Sequence, residues 1–133
     1  MAEISLGYVI HYVENVKSTL DFYCRAFGFE MKFISPDGSY GELITGVTTL
    51  SFASNTLAAS NFDIVYNKTQ LDSPPPGIEI GLITTDVDAF VERALTCGAS
   101  LVASPKTKPW GQVVAYVRDP DGLLIEICSP IEA

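Results

Sequence analysis

The sequence predicts an α+β fold made of two tandem βαβββ modules, with the strands forming a curved mixed sheet around a cleft and the helices on its outer face. Three observations carry that expectation. A strand, a helix and three further strands can be read twice along the chain. Each helix follows a capping residue and stops at a glycine, 13 positions apart from Asn15 to Gly28 and 12 from Asp86 to Gly98. Short strands with one helix per module cannot bury both sheet faces, so the helix covers one face and the other is left to curve into the cleft.

Module one spans 4–53 and opens with a strand over 4–13. Asn15 caps a helix over 16–27, where Val16, Leu20, Tyr23 and Phe27 form one apolar stripe. Strands are expected over 29–34, 39–45 and 48–53, the last two joined by a tight turn at Gly46. Residues 54–77 read as a polar linker loop with a stiff Ser-Pro-Pro-Pro-Gly end. Module two, 78–130, repeats the order: a strand over 78–84, a helix over 87–97 capped by Asp86, and strands over 100–103, 112–118 and 123–128. Residues 104–111 form a second polar loop that carries Trp110, the sole tryptophan.

With 133 residues the chain is one domain's worth, long enough for a real core. The start Met1-Ala2-Glu3-Ile4 lacks the basic segment and apolar run of a signal peptide, and no apolar stretch approaches the ~20 residues that span a bilayer. The formal charge of −8 argues against nucleic acid, since neutralising phosphates needs clustered Lys and Arg. Cys24, Cys97 and Cys128 are odd in number and far apart, which disfavours a disulfide framework. The expected location is the cytoplasm, with no membrane partner.

The end of the chain is chemically the most specific. Asp119-Pro120-Asp121-Gly122 is strong turn chemistry, and the strand behind it alternates: Leu124, Glu126 and Cys128 share one face, Leu123, Ile125 and Ile127 the other. A carboxylate in mid-strand must meet water, a partner, a metal or a ligand. His11, the only histidine, lies three residues from Tyr8, so it faces the opposite side of its strand and is expected under a helix. A lone histidine excludes a multi-histidine site. Cys24 and Cys97 fall on helices as small core residues, whereas Cys128 shares the face of Glu126.

The run Tyr8-Val9-Ile10-His11-Tyr12-Val13-Glu14-Asn15-Val16, then Asp21-Phe22-Tyr23 and Phe27-Gly28-Phe29, resembles the vicinal oxygen chelate superfamily. So does the closing run from Arg118 to Glu126. That superfamily includes glyoxalase I, fosfomycin-resistance proteins, extradiol dioxygenases and bleomycin-resistance proteins. Its enzymes hold a divalent metal with one residue from the first and one from the last strand of each module, mostly His, Gln or Glu. The resemblance places Tyr8, Ser51, Glu79 and Glu126 at those four positions. Tyr8 and Ser51 depart from the pattern and are weak ligands for such an ion. The resemblance is therefore closest to the metal-free, bleomycin-resistance-like branch, which implies sequestration of a ligand by a homodimer without cofactor.

On that reading the cleft is aromatic and hydroxyl-bearing with an acidic half. Its candidate ligand-binding residues are Tyr8, Tyr12, Tyr40, Glu42, Ser51, Glu79, Trp110, Tyr116 and Glu126. Such a surface suits an aromatic or cationic small molecule stacked on rings and paired with carboxylates. The alternative is a divalent-metal-dependent lyase, isomerase or dioxygenase resembling glyoxalase I, with Glu79, Glu126 and Glu42 on the metal. Glu79 and Glu126 are also candidates for acid–base work if they lie close together.

Overall fold

The computed structural model describes residues 2–131. Two compact units follow one another, one ending at Lys68 and the next beginning at Thr69. In the first unit the order is β1 (Tyr8–Val13), α1 (Val16–Phe27), β2 (Glu30–Ile34), β3 (Tyr40–Ile44), β4 (Thr49–Ser54) and α2 (Asn55–Asn61). In the second it is β5 (Glu79–Ile83), α3 (Val87–Thr96), β6 (Ser100–Thr107), β7 (Val113–Arg118) and β8 (Leu124–Cys128). Each unit holds a four-stranded mixed sheet, β1-β4-β3-β2 and β5-β8-β7-β6, in which the first and last strands run parallel. The fold is thus two tandem βαβββ modules of α+β class, with α2 added to the first.

The helices end where capping chemistry dictates. Asn15 accepts the backbone N–H of Ser18, and Asp86 accepts that of Ala89. Gly28 closes α1 at φ +74°, donating its N–H to the carbonyl of Cys24. Against the first sheet α1 buries Val16, Leu20, Phe22, Tyr23 and Ala26, and Tyr23 stacks on Phe52 with ring centroids 5.1 Å apart. Each large apolar side chain so buried contributes about 1.5–3 kcal/mol. The helix comes so close to β3 that a Cβ at Gly41 would collide with Leu20. In the second unit Val87, Val91 and Ala94 of α3 are buried on the helix side, as are Ile125 and Ile127 of β8 and Ala115 and Val117 of β7.

Several boundaries differ from the sequence expectation, each for a physical reason. Register pairing with β4 begins only at Tyr8, so 4–7 precede the strand rather than belong to it. Within the stretch read as a loop, Asn55–Asn61 forms α2, capped by the Ser54 hydroxyl on the Leu57 N–H. Strand β6 continues to Thr107, through two register shifts against β7, into the stretch read as the second polar loop. Cys24, Cys97 and Cys128 are free thiols. Among the described residues no helix is long and apolar enough to cross a membrane.

Candidate functional site

Alternation along each strand leaves one sheet face of each unit without a helix, and the register shows what stands on it. In the first unit the central row is Ile10–Ser51–Glu42–Phe33. Tyr8 lies two residues before Ile10 on β1, and Tyr40 two before Glu42 on β3, so both share that face. Glu42 is only 5% exposed. Its carboxylate accepts the Tyr40 hydroxyl at 2.7 Å and pairs with the Lys32 ammonium at 3.7 Å. Burial above all holds the Tyr40 phenol above its usual range; Ser51 opposes the rise, while the hydrogen bond to Glu42 and its charge add to it. Ser51 is fully buried, its hydroxyl 3.5 Å from the Val9 carbonyl, whereas Tyr8 is 56% exposed.

Tyr12 has the same facing but a different role. Its ring packs on Tyr66 at 5.2 Å and Phe62 at 6.1 Å, from the segment that follows α2. Tyr66 in turn donates to Asn55 at 2.6 Å, and Asn55 donates to Glu14 at 3.2 Å. Tyr12 is thereby taken into a wall at one end of the face. His11 faces the helix side, edge-on to Phe52 at 6.2 Å.

In the second unit three rows are legible: Glu79–Leu124–Arg118, Gly81–Glu126–Tyr116 and Ile83–Cys128–Val114. The Tyr116 hydroxyl donates to Glu126 at 2.8 Å. That bond first, then burial, then the charges of Glu126 and Glu79 push the phenol up to about 12. Glu79 is an exposed residue overall, yet partial burial of its carboxyl and then the charge of Glu126 raise that carboxyl above the ordinary value. Burial foremost, then Glu126, pushes the Cys128 thiol up to about 11. Among the described residues no Lys, Arg or His reaches within 4.0 Å of Glu79 or Glu126.

The closing hairpin holds one end of this face. Asp119, fully buried, accepts the N–H groups of Asp121, Gly122 and Leu123 on one oxygen, at 3.0, 2.9 and 2.9 Å. Arg118 donates to the carbonyls of Gly122, Gln70, Leu71 and Ser73, strapping 70–73 onto the hairpin. Trp110 sits at the opposite end of β7, beside Gln112 and Ser129, away from the Tyr116–Glu126 pair.

The structure therefore brings Tyr8, Tyr40, Glu42 and Ser51 to one face of the first unit, and Glu79, Tyr116 and Glu126 to one face of the second. Tyr12 is packed into a wall and Trp110 into a separate concavity. Sequence reasoning missed Lys32 and Phe33, which stand on the first face because a bulge between Met31 and Phe33 shifts the register of β2. Nothing in the local sequence signals that bulge. It also left Arg118 without a role, although a cation beside a tight turn is a natural partner for loop carbonyls.

The chain belongs to the Glyoxalase/Bleomycin resistance protein/Dioxygenase superfamily, whose family model matches residues 5–127. An uncharacterized protein of Mycobacterium bovis is 30% identical over 121 residues, covering 90% of this chain and 79% of that one. A lactoylglutathione lyase of Arabidopsis thaliana is 30% identical over 128 residues, covering 90% of this chain but 42% of that protein. Among solved structures, a glyoxalase-related enzyme from Fulvimarina pelagi superposes with a TM-score of 0.83 at 18% identity, over 96% of this chain and 89% of that one. At that identity the likeness speaks for the fold alone.

Members of this superfamily often bind a divalent metal, and the donor chemistry here suits one poorly. The first unit offers a phenol, a buried serine and one carboxylate already paired with Lys32 and Tyr40. The second offers Glu79 and Glu126, beside a phenol whose proton is held more tightly than usual. A catalytic site wants about three good protein ligands and an open position.

Proposed function

We propose that this chain is a small-molecule-binding protein of the glyoxalase/bleomycin-resistance type, which sequesters an aromatic or cationic ligand on its helix-free sheet faces without a metal. The observation that carries the reading is the contrast between the carboxylates. Glu42 is buried and neutralised by Lys32, whereas Glu79 and Glu126 stand together with no Lys, Arg or His beside them among the described residues. Two negative charges without a counter-ion favour an arriving cation, and the Tyr116 ring beside them offers a face for it. On the first unit Tyr8, Tyr40 and Phe33 offer ring surface to an aromatic group.

Benzamidine and its neutral counterpart benzamide test this directly by thermal shift, since a ligand that binds only the folded state raises apparent stability by mass action. Benzamidine is expected to raise the melting temperature more than benzamide, and Glu126→Gln to remove most of that difference. A benzamidine shift unchanged by both Tyr8→Ala and Glu126→Gln would place the site elsewhere.

A second reading is a metal-dependent lyase, isomerase or dioxygenase, favoured by the 30% identity to a lactoylglutathione lyase. Calorimetry with Mn²⁺, Ni²⁺ and Zn²⁺ decides between them: stoichiometric submicromolar binding would overturn the metal-free reading. We take the working form to be a cytoplasmic homodimer without nucleic-acid or membrane partners, in keeping with its acidic charge. Light scattering giving a single-chain mass would refute the dimer.

A further inference from the structure

Trp110 lies in the turn between β6 and β7, which closes through the Lys108 N–H on the Gln112 carbonyl at 2.8 Å and needs Gly111 at φ +93°. The indole is 62% exposed, yet it is not loose. Its Nε1 donates to Gln112 Oε1 at 2.9 Å, and Gln112 Nε2 donates to the Ser129 carbonyl at 2.9 Å. Ser129 is itself fixed, its hydroxyl accepting the Val113 N–H at 2.8 Å. The only polar atom of the indole is satisfied, and among the described residues no other ring or cation stacks on its face.

Beside it is a concavity of about 330 Å³ lined by Thr85, Trp110, Gly111, Gln112, Ser129 and Pro130. Among the described residues no charged side chain lines it, and neither do Glu79, Tyr116 or Glu126. The volume falls at the small end of ligand sites, the size for one or two fused rings. Thr85 adds a hydroxyl at the edge. We propose that this concavity is a second binding site, for an uncharged planar aromatic molecule that stacks on Trp110, distinct from the sheet-face site. The inference is independent of the sheet-face reading, because the two share no residue. A pre-oriented aromatic face binds at lower entropic cost than a mobile one, and a lining without charge discriminates against the cations that the sheet face favours.

Because Trp110 is the only tryptophan, fluorotryptophan labelling gives a single fluorine resonance that reports on this site alone. Quinoline, neutral at pH 7, is the probe, and cyclohexanol is the saturated control. The expected result is a saturable shift with quinoline and a far weaker response to cyclohexanol. Gln112→Leu, which frees the indole, should weaken quinoline binding about tenfold, the loss of one ordering hydrogen bond. Thr85→Val should weaken it without altering the melting temperature, which keeps the test decisive if Gln112→Leu unfolds. Glu126→Gln should leave the quinoline curve unchanged. A shift that never saturates, an equal response to cyclohexanol, or loss of binding in Glu126→Gln would each overturn the proposal. So would a resonance that moves with protein concentration alone, since a second copy would then cover the ring.

Discussion

Asp119→Ala removes a fully buried carboxylate whose single oxygen accepts three backbone N–H groups of the β7–β8 turn. The three donors are not equally exposed to its loss. Gly122 N–H retains a second acceptor, the Asp119 backbone carbonyl at 2.9 Å, and Asp121 N–H is only part-buried, so water can reach it. Leu123 N–H is buried and loses the carboxylate outright. One buried donor left without its acceptor costs about 1–3 kcal/mol, and losing the charge-assisted character of the other two adds about 1 kcal/mol. The expected destabilisation is about 2–4 kcal/mol, a large share of the roughly 5–15 kcal/mol that holds a domain together. Asp119→Asn keeps an acceptor oxygen without the charge and should lose about half as much. Urea titration monitors both, with the midpoint falling by on the order of 1 M at an unchanged slope. A loss under about 1 kcal/mol for alanine, or equal losses for alanine and asparagine, would refute the view that this carboxylate holds the turn.

Gly122→Ala should destabilise by more than about 1 kcal/mol, because an alanine at φ +107° is strained. Its Cβ would also lie 2.9 Å from both the Arg118 guanidinium and the Gln70 backbone. Hydrogen exchange at 70–73 should quicken as the Arg118 strap loosens, and unchanged protection there would contradict the role assigned to Arg118. For Glu79 the sign of the pH effect is fixed by the direction of its shift. A carboxyl raised in the folded state binds its proton more tightly there, so the native protein loses stability as pH rises from the ordinary carboxylate value through the raised one. Glu79→Gln should therefore be more stable than the parent near neutrality, with the gap closing in acid; a gap that widens in acid would reverse the argument. Cys128, with its thiol pushed up to about 11, should resist iodoacetamide at neutral pH in the folded state and react once unfolded. Peptide mapping that finds it alkylated equally fast in both states would count against that environment.

Much of the fold was legible because it rests on local signals. The caps Asn15 and Asp86 and the glycines behind each helix set its ends, and α1 occupies the residues expected of it. Strict alternation put His11 on the helix side and Glu126 with Cys128 on the open face. What escaped depends on contacts distant in sequence. The segment Asn55–Asn61 is short and flanked by asparagines, a weak helix by propensity; contacts with β4 and β1 and the Ser54 cap support it. Tyr12 reads as an open-face residue until Phe62 and Tyr66 fold onto it. Lys32 and Phe33 reach their face only through a bulge that alternation cannot foresee.

The two sheets place equivalent positions in register, and this sharpens the chemical difference between them. Ser51 and Glu126 occupy the same lattice point, each flanked by the first strand at Ile10 or Gly81 and by the third at Glu42 or Tyr116. Tyr8 and Glu79 likewise correspond, each two residues before that row. One carboxylate–phenol pair recurs in both units but is built differently: along a strand as Tyr40 to Glu42, and across strands as Tyr116 to Glu126. In the first unit the carboxylate moves one strand over, sinks to 5% exposure and meets Lys32. In the second it stays at the central strand beside Glu79, with no Lys, Arg or His among the described residues to neutralise it. A shared backbone thus carries one charge-neutral aromatic face and one acidic face. Under the proposed binding role, the second unit selects for charge and the first for ring surface, so Glu126 acts through the absence of a counter-ion as much as through its own carboxylate.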